Sequence, residues 1–101
     1  MTTSPIRWAR LGAIPAESHR HTVVVHIDAP LAEVSPWFGP YSNRLVALDA
    51  GTTELRTGAD RAADVPSWLA DLPRPYRVIG DDAVRQAFIA AARRMLAAAA
   101  G

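Results

Sequence analysis

The chain is expected to fold as one α+β domain on a four-stranded antiparallel sheet. Three observations predict it: a run of β-branched residues at 23–27, a turn signal at Asp49-Ala50-Gly51 between two extended segments, and apolar residues at helical spacing in three other stretches. At 101 residues the chain has room for one core of ordinary domain size. Much of its hydrophobic half is alanine, so the side chains that fill that core are few.

Residues 1–20 (MTTSPIRWARLGAIPAESHR) show no sustained period, two prolines and scattered Ile6, Trp8, Leu11 and Ile14. They read as an N-terminal arm or linker that packs on something, ahead of a domain spanning 21–101. The next stretch, HTVVVHID at 21–28, has three valines and an isoleucine, whose branching at Cβ disfavours helix and suits a pleated strand. Alternation places Val23, Val25 and Ile27 on one side, and Thr22, Val24 and His26 on the other. A helix is predicted near 30–38, opened by Asp28 and Pro30, carrying Leu31, Val34 and Phe38 at helical spacing and stopped at Gly39. Pro36 removes a backbone donor, so the helix is expected to break or restart near Ser35.

Residues 43–49 and 52–58 read as a hairpin, with Gly51 available for a positive φ. A second helix is expected near 62–72, where Val65, Trp68, Leu69 and Leu72 form one apolar stripe, capped by Asp60 or Asp64, with Pro66 favouring the later start. Trp68 is the core candidate of this stripe. Tyr76–Ile79 reads as a short strand ended by Gly80. Asp81 or Asp82 then caps a last helix near 82–98, with Val84, Phe88 and Met95 along one side and Ile89 and Leu96 on its shoulder. The order β-α-β-β-α-β plus an additional C-terminal helix is the split βαβ, or ferredoxin-like, arrangement.

The formal net charge is +1, which argues against a strong field for nucleic acid or an anionic membrane. All eleven basic residues are arginine. With no cysteine, neither disulfides nor thiolate metal sites are available. No basic-then-apolar leader is visible, and the alanine-rich C-terminal stretch is interrupted by Arg85, Arg93 and Arg94, so a cytoplasmic protein with no membrane span is expected.

The stretches HTVVVHIDAPLAEVSPWFG, NRLVALDAGTTELRTGAD, VPSWLADL, YRVIG and DDAVRQAFIAAARRML resemble, in order and character, the WCX domain. That domain follows the WYL domain in many actinobacterial transcription regulators, behind a winged helix-turn-helix. The resemblance covers residues 21–100 and rests on element order, the strand-Asp-Ala-Pro opening and the Trp-Leu helix. It implies a ferredoxin-like fold, a regulatory role in dimerisation or ligand sensing, and transcriptional control. Partners would be a second copy or a WYL domain, with a small molecule or nucleic acid as effector. Residues 1–20 hold neither further domain, so this chain is not expected to read DNA directly.

No catalytic constellation, cofactor site or metal site is expected. His19, His21 and His26 invite a metal reading, but His26 is five residues past His21 and points the other way. No serine lies in a nucleophile elbow, and no glycine-rich phosphate loop is present. The aspartates fall at turns and helix starts, where capping accounts for them. Trp37, in Trp37-Phe38-Gly39-Pro40-Tyr41, reads as core edge or as part of an aromatic lip.

The sheet supplies the candidate surface. If Val23, Val25, Ile27, Leu45, Tyr76 and Val78 face the helices, the opposite face carries Val24, His26, Val46, Leu48, Arg56 and Ile79. That is too apolar to stand in water on an isolated monomer, so the last helix, another chain or another domain should cover it. Arg44, Arg56 and Arg77 form its polar rim and are candidates to clamp an anion.

Overall fold

The valine run forms β1, His21–Ile27, and the rest of the fold is arranged around it. The structure, a computed structural model, describes residues 20–39 and 44–101. Three further strands follow: β2, Leu45–Asp49; β3, Thr52–Ala59; and β4, Tyr76–Ile79. The helices are α1, Leu31–Phe38; α2, Val65–Leu69, preceded by a 3-10 turn at Ala62–Asp64; and α3, Asp82–Ala100. The arm at 1–19, with Trp8, Leu11, Ile14 and His19, and the Pro40-Tyr41 part of the aromatic lip lie outside the described residues.

The sheet order is β2-β3-β1-β4, and every neighbouring pair is antiparallel. β1 and β2 therefore run parallel on either side of β3, joined through α1. Register sets the two faces. Val23, Val25 and Ile27 stand opposite Thr57, Leu55 and Thr53 of β3, and Val25 and Ile27 also face Val78 and Tyr76 of β4. This side is the core. It is closed by Val34 and Phe38 of α1, Val65 and Leu69 of α2, and Val84 of α3, all buried, with Trp37, Trp68, Leu72 and Phe88 half-buried at its margin. Two buried threonines sit among these aliphatics, and Thr53 meets its need by donating its hydroxyl to the Ala29 carbonyl at 2.9 Å.

Four local expectations are corrected. Helix α1 does not break at Ser35 but runs through Pro36 to Phe38, and Gly39 N–H donates to the Ser35 carbonyl. The carbonyl left without its backbone donor belongs to Ala32, which is exposed. The predicted helix at 62–72 is a 3-10 turn followed by a five-residue α-helix, because Pro66 in the first turn sets a later start. Asp64 stands at the N-cap of α2 but makes no side-chain capping bond there. The hairpin bend is held by Gly51 N–H donating to Asp49 Oδ1 at 2.8 Å. Positive φ occurs instead at Gly39 and Gly80 among the described glycines.

Helix α3 resolves the main open point of the architecture. It packs on the same side as α1 and α2, against α2, the 3-10 turn, β1 and β4. Its 19 residues span about 28 Å, whereas the four residues of β4 span about 13 Å. The helix therefore outruns its support: Val84 and Ala91 are buried, while Ile89, Met95 and Leu96 are exposed. Among the described residues, no helix covers the other face of the sheet. No helix among the described residues is long and apolar enough to cross a membrane.

Candidate functional site: the uncovered sheet face

Strand pairing orders the uncovered face into rows. In one row Val24 of β1 stands between Arg56 of β3 and Ile79 of β4. In the next, His26 stands between Glu54 and Arg77, and Val46 of β2 lies beyond Glu54. Six of the eight predicted surface residues are thus brought onto one contiguous patch. Arg44 and Leu48 fall at its ends. Arg44 precedes β2 and is half-buried, and Leu48 sits at the irregular step between Ala47 and Asp49, where the register shifts.

The aliphatic part is open to solvent. Val46 is 55% exposed, Leu48 46% and Ile79 38%, whereas Val24 is only 8% exposed. Val24 is shielded because it lies in the central strand, flanked on both sides. The polar part is internally connected. His26 Nε2 lies 3.0 Å from Glu54 Oε2, and Arg56 approaches the other oxygen of Glu54 at 3.6 Å. One carboxylate thus holds a ring on the neighbouring strand and a guanidinium two residues along its own. β1 separates Arg56 from Arg77, and Arg56 is drawn to Glu54.

At the β1–β4 end the face drops into a notch of about 320 Å³ lined by His26, Asp28, Thr52, Pro75, Tyr76 and Arg77. The Asp28 N–H donates to the Pro75 carbonyl at 2.9 Å, which fixes the floor where the two strands meet. Tyr76 supplies a wall. Its ring meets Phe88 of α3 edge-on, with centroids 6.2 Å apart and planes at 69°, and burial raises its phenol above the ordinary range. On the far side of Tyr76, a shallower cleft of about 380 Å³ is lined by Val78, Arg85, Phe88 and Ile89.

Comparison with protein-family models, with curated proteins and with solved structures gives no match. The chemistry of the face therefore rests on its own geometry. His21 and His26 lie on opposite faces, each committed through one ring nitrogen to a carboxylate, Asp81 and Glu54 respectively. No group of three metal-ligating side chains converges among the described residues.

Sequence reasoning did not single out Glu54, Asp28 or Tyr76 as part of this surface. The signal for Glu54 was present in the alternation Thr52, Glu54, Arg56, which puts an acid on the face of His26 once the hairpin register is known. Asp28 was read only as a helix-start residue, yet the helix begins at Leu31 and Asp28 lines the notch. Tyr76 does pair on the core side, opposite Ile27, as expected, and its ring closes the notch at the sheet edge.

Proposed function

We propose that residues 21–101 are a non-catalytic regulatory domain of the WCX type, ferredoxin-like in fold, that acts by association through its uncovered sheet face. The observation that carries this reading is the placement of all three helices on one side, which leaves Val46, Leu48 and Ile79 exposed on or beside a sheet face that no described helix covers. Keeping such side chains in water forgoes roughly 1.5–3 kcal/mol each relative to full burial. The strand order β2-β3-β1-β4 is the one that a split βαβ arrangement produces, which supports the ferredoxin-like assignment.

The occupant proposed is a second copy of the chain. The face carries both signs within one row, Arg77, His26 and Glu54, with Arg56 beside them. A two-fold pairing can then set the Glu54 carboxylate of one copy near the arginines of the other. In a WYL-type regulator of the cytoplasm, that association would set the spacing of the regulator's two DNA-reading domains. Sedimentation equilibrium tests it: the expected result is a dimer that Val46→Asp returns to monomer with the circular dichroism spectrum of the folded parent. A concentration-independent monomer, unchanged by Val46→Asp, overturns it. Association that appears only after a WYL domain is added would assign the face to that partner instead.

A further inference from the structure

The notch at the end of the sheet face sets Asp28, an acid that the association reading does not use, in one lining with Arg77. The Arg77 side chain makes no hydrogen bond or ion pair among the described residues. Asp28 makes no side-chain hydrogen bond either. It lies within the field of Arg74, but the fork of that guanidinium is already occupied by Glu33 in two contacts of 2.5 and 3.2 Å. A cation and an acid therefore line one small concavity, and no ion pair joins them. His26 shares the lining, its ring held by Glu54 through Nε2, which leaves Nδ1 outside that bond. The Tyr76 ring, braced by Phe88, and Pro75 give the notch an apolar wall, and Thr52 adds a hydroxyl.

We infer, relying on the regulatory reading above for its purpose but not for its chemistry, that this notch binds a small zwitterion of the α-amino-acid class. The planar fork of Arg77 matches a carboxylate in two parallel contacts, which an ammonium group of lysine does not offer. Asp28 takes the ammonium group of the ligand. The wall of Tyr76 and Pro75 receives an apolar or aromatic side chain. A simple anion fits less well, because Asp28 lines the same notch, and a simple cation meets Arg77. The volume, about 320 Å³, is at the small end of ligand pockets, which run from about 300 to 1,000 Å³. Both charges are satisfied only by a ligand that carries both signs.

Isothermal titration of the full chain with the common α-amino acids, one at a time, tests this, with acetate and ethylamine as half-ligands. At least one amino acid is expected to bind, and the half-ligands at least about tenfold more weakly. Arg77→Gln and Asp28→Asn are each expected to weaken binding on the order of tenfold, with Arg77→Lys intermediate because it keeps the charge and loses the fork. Arg93→Gln, on the remote part of α3, leaves binding unchanged. Thermal melts of each variant confirm that the fold is kept. The inference is overturned if no amino acid titrates, if acetate or ethylamine binds as well as the amino acid, or if binding ignores Arg77→Gln and Asp28→Asn. Sedimentation of the same samples separates the two readings. A dimer that binds no amino acid overturns the notch alone, and a monomer that binds one overturns the docking face alone.

Discussion

His21 and Asp81, sixty positions apart in the chain, are joined by a 3.0 Å contact from Nδ1 to Oδ2. The other oxygen of Asp81 accepts the N–H of Val84 at 3.1 Å, in the first turn of α3. A single carboxylate therefore caps the longest helix and ties it to the first residue of the central strand. Because α3 has little support beyond Ala91, its anchoring at this end carries much of its placement.

Replacing Asp81 with Ala is expected to destabilise the domain by about 0.5–2 kcal/mol, the range for loss of an N-cap. His21→Ala should cost less, since it removes the strand tie and leaves the cap. Thermal melts followed by far-ultraviolet circular dichroism distinguish the two by the helical signal lost.

The same carboxylate sets an acid limit. Desolvation works against its charged form, but the bonds from Val84, His21 and Ala83 outweigh it and hold the Asp81 carboxyl below its ordinary value of 3.8. A group depressed in the folded state contributes stability that is fully present above its unfolded value. That contribution is lost as pH falls through the folded one. The melting temperature should therefore decline below a pH of about 4, and Asp81→Asn should flatten that part of the profile. An unchanged acid slope in the variant would show that other carboxylates set the limit.

In the second helix the burden falls on Leu69 rather than Trp68. Leu69 is fully buried and Trp68 only half-buried at the core margin. Leu69→Ala is expected to cost about 2–5 kcal/mol. Trp68→Ala should fall below the range of about 3–5 kcal/mol that applies to a fully buried aromatic. Urea denaturation of both variants gives the ranking, and the reverse order would place the tryptophan deeper than the structure does.

Thr53→Val probes the polar element of the core. The substitution keeps the shape and removes the hydroxyl that serves the Ala29 carbonyl, itself buried just ahead of α1. Leaving that acceptor without a donor should cost about 1–3 kcal/mol. Chemical denaturation against the parent measures it.

Two glycines should respond oppositely to alanine. Gly80, at φ 73° between β4 and α3, stands in the left-handed region, and Gly80→Ala should cost about 1–2 kcal/mol although space is free around it. Gly51 does not adopt positive φ, and an added Cβ would meet only Asp49 Oδ1 at 3.9 Å. Gly51→Ala should be neutral or stabilise by up to about 1 kcal/mol. Paired melting curves decide it.

The elements themselves were legible in the row of residues because their causes are local. Four β-branched residues within 23–27 force an extended backbone, Asp81 ahead of a helix-forming run caps it, and prolines and glycines mark most of the joints. Alternation was enough to separate Val24 and His26 from Val23 and Val25, so the composition of the uncovered face was largely readable in advance. The helix at 62–72 was not, since its apolar stripe continues past the point where backbone geometry ends it at Leu69.

What the sequence alone determined is which residues extend, which coil and which face each side chain takes, because these follow from neighbours a few positions away. The tertiary structure decided everything that depends on distant pairing. Antiparallel register set Glu54 beside His26 and Arg77 on its other side. Packing of Val84 and Phe88 into the core beside α2 put α3 on the helical side and left the opposite face bare. The meeting of β1 and β4 at Asp28 and Pro75 made a notch from residues nearly fifty positions apart. Register and helix placement are settled by the burial of one shared core, and no local propensity carries that information.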